Sequence, residues 1–252
     1  DNLEKNNRTR ISLIILLLGI LFIATAFLLE SPAEVIKGEW KILKSTGILI
    51  TDFIELAGLA PAFFNAGIMT LIGLGIAWII KARFNGLLLS AILTVTGFSF
   101  FGKNPFNVAP IVAGVFVFDR FIAKERSKNL IAPILFGTAL APVVSQFAFG
   151  YGWGWYGIAA GIVVGVVCGI LLHAVMGHII TFHHGYNLYN IGTTAGFIGM
   201  VVYIMMWGFG LEVNPVFYWA TEHTEFLTLY VLGIIAFLIL LGIVWGGNLT
   251  NY

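Results

Sequence analysis

Long apolar runs separated by short polar segments dominate the chain, and their length is typical of membrane-spanning helices. Such a helix needs about 20 apolar residues to cross ~30 Å of hydrocarbon. The first run, residues 11–29, follows Lys5, Arg8 and Arg10, and a signal peptide cleaved near residues 24–26 is the alternative for it. Later runs of similar length cover residues 130–149, 157–181, 191–211 and 226–245. The pattern therefore predicts an all-α polytopic membrane protein.

Two other apolar stretches are interrupted. Residues 46–80 contain Leu59-Ala60-Pro61, and proline kinks or breaks a helix, so we predict one broken crossing. Residues 86–118 contain the polar sequence 102–107, which leaves two arms too short for full spans and favours a re-entrant hairpin. Residues 31–44 mix charged and apolar positions at a loose helical spacing, which predicts an interfacial amphipathic helix, with a plain loop as the alternative.

The basic residues indicate an orientation. Every Lys and Arg lies between Lys5 and Lys128, with clusters at residues 81–83 and 120–128. The positive-inside rule places the N-terminus and both clusters in the cytoplasm, so the hairpin would start and end on that side. We expect a multi-pass protein of the cell membrane with a cytoplasmic N-terminus.

The chain contains a duplicated pattern. The sequence at residues 86–91 reappears at 169–174, and a Gly-x-Asn-x-x-Asn motif occurs at 102–107 and again at 185–190. Leu-Ala-Pro occurs at 59–61 and 140–142, followed by Asn65 and Gln146. Because one copy starts outside and the other inside, the copies would be inverted repeats with broken or re-entrant helices, a plan common in transporters. The predicted segments are an N-terminal span with its amphipathic helix at 1–45, repeat one at 46–128, repeat two at 129–211, and a loop with a C-terminal span at 212–252.

Four glycines lie four residues apart along one face of the run at 157–181: Gly157, Gly161, Gly165 and Gly169. This small-xxx-small spacing lets another helix approach closely, so we predict a packing role for this glycine ridge. The aromatic cluster that precedes it, at residues 150–156, is typical of a membrane interface.

Composition narrows the class of protein. Charged residues make up 10% of the chain, where soluble proteins have about 25%. With 59% apolar residues and a mean hydropathy of +0.97, the chain is neither disordered, nor an ordinary soluble domain, nor a nucleic-acid binder. A single cysteine, Cys168, excludes an intrachain disulfide, and we expect no cofactor and no bound metal. The chain begins at Asp1 and stops after an apolar run, so we expect a trimmed or partial protein.

The repeated asparagines have two compatible interpretations. Asparagine is a favoured N-cap and Pro105 suits a first turn, so these residues cap helices after a break. Asparagine also carries both donors and acceptors, so the same residues line a path for a polar solute. The candidate path residues are Asn104, Asn187, Asn107, Asn190, Asn65, Gln146 and Ser145.

The second motif carries a family resemblance. Residues 185–192 (GYNLYNIG) resemble the Gly-Tyr-Asn-x-x-Leu-Val-Gly segment found once per half in urea transporters, with residues 102–109 as a degenerate first copy. Residues 140–147 loosely resemble their Leu-Pro-x-x-Thr-x-Pro-Phe segment, although Ala141 intrudes, Asn190 replaces a leucine and the motif order differs. The resemblance implies a passive, often trimeric channel for a small neutral amide. The whole sequence more closely resembles an uncharacterised family of duplicated bacterial integral membrane proteins.

Titratable residues adjoin both motifs. Lys103 would favour anions if buried, or would extend to the cytoplasm. His183 and His184 adjoin the second motif, where a pore mouth is one interpretation and plain packing the other. With His173 and His178 they form a cluster for which a metal or haem site is the less favoured alternative.

Two acids, Asp52 and Glu55, lie in the apolar stretch before the first Leu-Ala-Pro. Acids inside a membrane are costly and point to function, here coupling to protons or cations. The alternative is that this stretch starts at the interface and both acids face water.

Together these features predict a membrane channel or transporter for a small polar, neutral solute such as urea or an amide, with its path at the repeat interface. The alternatives are a proton- or cation-coupled transporter that uses Asp52 and Glu55, and a non-transporting structural subunit. The sequence has no HExxH motif and no GxSxG in a strand–turn–helix setting, so we expect no enzyme. The expected partners are the lipid bilayer, the solute and other copies in a homo-oligomer, without nucleic acid.

Overall fold

In the computed structural model the chain is described at residues 2–48, 51–123, 130–184, 186, 190–214 and 216–246. These residues form helices joined by short connections. The helices are α1 (Asn2–Leu29), α2 (Pro32–Leu43), α3 (Phe53–Ala57), α4 (Leu59–Ile79), α5 (Gly86–Phe98), α6 (Pro105–Val117), α7 (Ile131–Gly137), α8 (Ala141–Phe149), α9 (Trp155–His183), α10 (Asn190–Gly208) and α11 (Thr224–Gly246). The chain divides into two units, Asp1–Trp219 and Ala220–Tyr252, the second of which contains α11.

Seven helical segments of the described ranges are long and apolar enough to cross a membrane: Asn6–Leu29, Leu59–Ile79, Pro105–Ile122, Ile131–Phe149, Trp155–Phe182, Asn190–Gly208 and Thr224–Trp245. The predicted all-α class is confirmed, and the helices are those of a multi-pass membrane protein. The inverted arrangement of the two repeats stays a prediction.

The second arm of the predicted hairpin is longer than the sequence pattern indicated. The helical backbone continues from α6 through a π-helical turn at Phe118–Ile122, so the segment Pro105–Ile122 has 18 residues. The polar pair Asp119 and Arg120 ended the apolar run in the sequence but does not end the helix. The first arm, α5, has 13 residues, about 20 Å of helix, which is too short to cross ~30 Å.

Both Leu-Ala-Pro motifs lie at a helix start. Pro61 is in the first turn of α4, three residues after the N-cap Gly58. With a φ of +105°, Gly58 separates α3 from α4. Pro142 is in the first turn of α8, after the 3₁₀ turn Thr138–Leu140. A proline in a first turn loses no intrahelical hydrogen bond, which explains why these breaks are accommodated.

The glycine ridge packs as predicted. Gly157 and Gly161 contact α8, and a Cβ added at Gly161 would lie 2.6 Å from the Val144 carbonyl oxygen. Gly165 and Gly169 contact α6, where a Cβ added at Gly169 would overlap the carbonyl oxygen of Ile111. Helix α9 therefore approaches the backbones of both neighbours as closely as only glycine allows.

Contacts between helix ends show how the first unit is arranged. Arg8 lies over the Phe84 ring at 5.8 Å, and the Trp78 indole donates to Ser12 Oγ at 3.2 Å, so α1 begins beside the end of α4. At the opposite end of α4, Gly38 of α2 packs on Pro61. Helices α1 and α4 are therefore antiparallel. We call the end that carries Arg8, Lys81, Arg83 and Arg120 the basic end.

The helix predicted at residues 31–44 forms as α2, with Ser31 as its N-cap. Its buried face consists of Val35, Gly38, Glu39 and Ile42, which pack towards the rest of the unit.

Candidate functional site

The interruption between α5 and α6 is the centre of a buried polar cluster, which we call the polar break. Each side chain in it is at most 4% exposed. Its members are Asn65, Ser99, Lys103, Asn104, Asn107, Thr138 and Ser145. They come from α4, from the α5–α6 connection with the start of α6, from the 3₁₀ turn between α7 and α8, and from α8 itself.

Two asparagines cap α6 reciprocally. Asn104 Oδ1 accepts from the Asn107 backbone N–H at 3.0 Å, and Asn107 Oδ1 accepts from the Asn104 backbone N–H at 2.9 Å. Gly102, with φ +91°, turns the chain just before this capping box. Both asparagines therefore have the capping role that their spacing and Pro105 predicted.

The side-chain amides of the same two residues reach other helices. Asn104 Nδ2 donates to the carbonyl oxygen of Ile42 at the end of α2, at 3.0 Å. Asn107 Nδ2 donates to the Gly102 carbonyl oxygen and to Ser145 Oγ of α8, both at 2.9 Å. The break is thus held by α2 on one side and by α8 on another.

Asn65 of α4 supports the break from a third side. Its Nδ2 donates to the carbonyl oxygens of Ser99 and Lys103, the latter at 2.8 Å. Its Oδ1 accepts no hydrogen bond within the described part of the chain, and the same is true of Oε1 of Gln146, which follows Ser145 and is 5% exposed. A buried acceptor without a donor costs about 1–3 kcal/mol.

Lys103 is buried. Its Nζ donates to Thr138 Oγ1 at 2.8 Å and lies 4.9 Å from the centre of the Phe98 ring. Of the two interpretations of Lys103, the buried one is therefore observed.

The second asparagine motif, including Asn187, lies largely outside the described residues. Asn190 begins α10, and its Nδ2 donates to the Met176 carbonyl oxygen of α9 at 3.0 Å. His183 ends α9, and His184 follows in a left-handed conformation with φ 47°. The structure thus joins Asn65, Asn104, Asn107, Ser145 and Lys103 in one network and places Asn190 and His184 at the α9–α10 junction.

The remaining histidine of interest, His173, is 8% exposed and packs its ring against Phe118, with ring centres 5.0 Å apart. Among the residues that the structure describes, no group of three or more His, Cys, Asp or Glu side chains is arranged to hold a metal ion.

The two predicted coupling acids lie at the entrance to α3. Asp52 is its N-cap, because its Oδ1 accepts from the Ile54 backbone N–H at 2.8 Å. Glu55 is in the first turn of α3 and is exposed. Both precede the apolar segment Leu59–Ile79.

A third acid, Glu39, was not singled out from the sequence. It is 7% exposed, and neither carboxylate oxygen has a hydrogen-bond partner in the described residues. Burial raises the pKa of Glu39 to about 7. The spacing of residues in α2 could have identified Glu39 as buried. Val35, Gly38, Glu39 and Ile42 follow the i, i+3, i+4, i+7 spacing of one helix face.

The chain belongs to the family described as a protein of unknown function, DUF1576, whose family model matches residues 31–207. The match runs from the N-cap of α2 into the last turn of α10 and so includes the whole polar break. Membership of an uncharacterised family is thereby confirmed. No curated protein and no solved structure matches the chain.

Proposed function

We propose that this protein is a cell-membrane channel or transporter for a small, neutral, hydrogen-bonding solute such as urea or another amide. The observation that carries the proposal is the polar break, a buried cluster of amides, hydroxyls and one ammonium inside an apolar helical bundle. Irregular backbone at membrane depth occurs only where it is buried in protein or lines a wet cavity. A polar cluster at such a place is typical of a solute path.

The donors and acceptors of the site match an amide. Asn65 Oδ1 and Gln146 Oε1 would accept from the N–H groups of a solute. Lys103 Nζ uses one donor on Thr138 and keeps others for a carbonyl oxygen. The members of the polar break include no carboxylate to bind a metal cation, and an anion would leave the two amide oxygens without donors. The resemblance to urea transporters supports the same class of solute.

The polar break also supports a path at the repeat interface. Asn107 and Lys103 belong to predicted repeat one, whereas their partners Ser145 and Thr138 belong to predicted repeat two. Hydrogen bonds therefore join the two predicted repeats at this point. The proposal includes a cytoplasmic N-terminus, a homo-oligomer and a role in transport rather than catalysis.

Uptake into liposomes tests the proposal. Purified protein is reconstituted and assayed with urea, acetamide, ammonium and short carboxylates against protein-free liposomes. Gln146→Met removes an acceptor that has no donor, so the protein should keep its thermal stability. Its urea flux should fall about tenfold, the effect of one lost hydrogen bond of ~1.4 kcal/mol. Ser90→Ala, on the exposed side of α5, is the control and should transport normally.

The same assay separates the alternatives. Folded protein that conducts none of these solutes supports the structural-subunit alternative. Flux that depends on pH or membrane potential, and loses this dependence in Asp52→Asn/Glu55→Gln, supports coupled transport. Because Asp52 caps α3, thermal stability is measured in parallel. Flux of carboxylates without flux of amides contradicts the assignment to a neutral solute.

A further inference from the structure

A cavity of about 1010 Å³ opens at the basic end, away from the polar break. Lys81 and Arg83, from the turn between α4 and α5, line it together with Asp119 and Arg120 of the π-helical turn. The rest of its wall is mostly apolar and comes from the ends of α4 and α6 and the starts of α5 and α7. The cavity thus combines a charged mouth with an apolar wall.

Among the described residues that line this cavity, basic side chains outnumber acidic ones. Lys81, Arg83 and Arg120 are exposed, and Asp119 is half-buried on its wall. Helix α5 begins here, with Asn85 as its N-cap, and a helix N-terminus adds partial positive charge. A ligand with negative charge and an apolar part fits both the mouth and the wall.

Lys81 is held in a conformation that favours glycine. Its φ is 54°, which turns the chain back at the end of α4. The turn lets the Ala82 backbone N–H donate to the Ala77 carbonyl oxygen at 2.9 Å. At this position a lysine is less stable than a glycine by about 1 kcal/mol. The local fold alone would therefore favour glycine at this position.

We propose that this basic cavity binds the phosphate headgroup of an anionic phospholipid, with an acyl chain along the apolar wall. Trp78 lies at the same end and is 45% exposed, as tryptophans at the membrane–water interface are. Basic pockets between membrane helices on the cytoplasmic side recognise anionic headgroups in this way. The proposal rests on the membrane fold and is independent of the transported solute.

Lipid titration tests the proposal. The protein in an uncharged detergent is titrated with phosphatidylglycerol, phosphatidylcholine and soluble glycerol 3-phosphate, and binding is followed by native mass spectrometry and thermal shift. We expect saturable binding of phosphatidylglycerol alone. The triple variant Lys81→Gly/Arg83→Gln/Arg120→Gln should bind it on the order of a hundredfold more weakly. Lys37→Gln/Lys41→Gln/Lys44→Gln removes the same charge from exposed positions at and just after α2 and should bind normally.

The single variant Lys81→Gly separates binding from folding. Its affinity for phosphatidylglycerol should fall roughly fivefold, while its melting temperature without lipid should rise because the backbone strain is relieved. Lower stability without lipid would assign Lys81 a structural role. The proposal is overturned if the triple variant binds as the wild type does, if the α2 control loses as much affinity, or if glycerol 3-phosphate binds as tightly as the lipid.

Discussion

At the scale of single residues, the amide side chains of the polar break take the place of missing backbone partners. Asn104 and Asn107 each accept from the other's backbone N–H and use their own amide N–H groups on α2 and α8. The same two residues therefore cap α6 and also connect it to the neighbouring helices. A substitution at either position removes several hydrogen bonds together.

The first prediction concerns Asn107. Asn107→Ala removes the second half of the capping box and the donor to Ser145, so stability should fall by roughly 1–3 kcal/mol. Thermal unfolding in detergent measures this loss. Ser90→Ala, which removes an exposed hydroxyl and its hydrogen bond to the Leu87 carbonyl oxygen, is the control. Equal melting temperatures for the two variants would contradict the structural role of the capping box.

The second prediction concerns Glu39 and pH. The carboxyl has an ordinary pKa of 4.5 and a pKa of about 7 when buried, so the folded state binds the proton more tightly than the unfolded state. Stability should therefore be highest below the ordinary pKa and fall as pH rises towards the folded pKa. Melting temperatures across this range measure the slope. Glu39→Gln should flatten it, and an unchanged slope in that variant would refute the assignment.

Some of these residue roles follow from the sequence and others do not. The Asn-x-x-Asn spacing with Pro105 predicts capping, because capping is local. Ser145 as a partner of Asn107 is not predictable in this way, since the contact joins residues 38 positions apart. Asn65 was a candidate from its repeat position, but its bond to the Lys103 carbonyl depends on how α4 packs against the break.

At the scale of helices, the ridge on α9 gives a third prediction. Gly169→Ala places a methyl group against the backbone of α6 and should lower the melting temperature. Gly177→Ala, on the same helix with open space around it, should be neutral or stabilise by up to about 1 kcal/mol. Similar shifts in melting temperature for both variants would show that helix propensity, rather than packing against α6, determines the change in stability.

The helices differ in how well the pattern predicted them. The long apolar runs became α1, α9, α10 and α11 because length and hydropathy alone determine such spans. The helical segment that begins with α6 extends past the end of the apolar run at 86–118, because the backbone continues into the π-helical turn Phe118–Ile122. Polar residues mark the end of an apolar run, whereas backbone hydrogen bonds mark the end of a helix.

At the scale of the whole molecule, the fourth prediction concerns sidedness. Residues 81–83 and Arg120 line one cavity, as expected if the two basic clusters share a membrane face, although Lys124, Arg126 and Lys128 lie outside the described residues. Ala82→Cys and Phe121→Cys should be labelled from the same side, and Trp155→Cys from the other. Cys168 is buried, so background labelling should be low. Labelling of Ala82→Cys and Phe121→Cys from opposite sides would contradict the hairpin and the inverted repeat.

The partners of the polar break also have a consequence for biogenesis. Ile42 and Asn65 are synthesised before Lys103 and Asn107, but Thr138 and Ser145 emerge from the ribosome later. Until they arrive, the amine of Lys103 and the amide of Asn107 lack their side-chain partners. We therefore expect the α5–α6 segment to reach its final packing only after α7 and α8 have been inserted, so that this region integrates into the membrane cooperatively rather than one helix at a time.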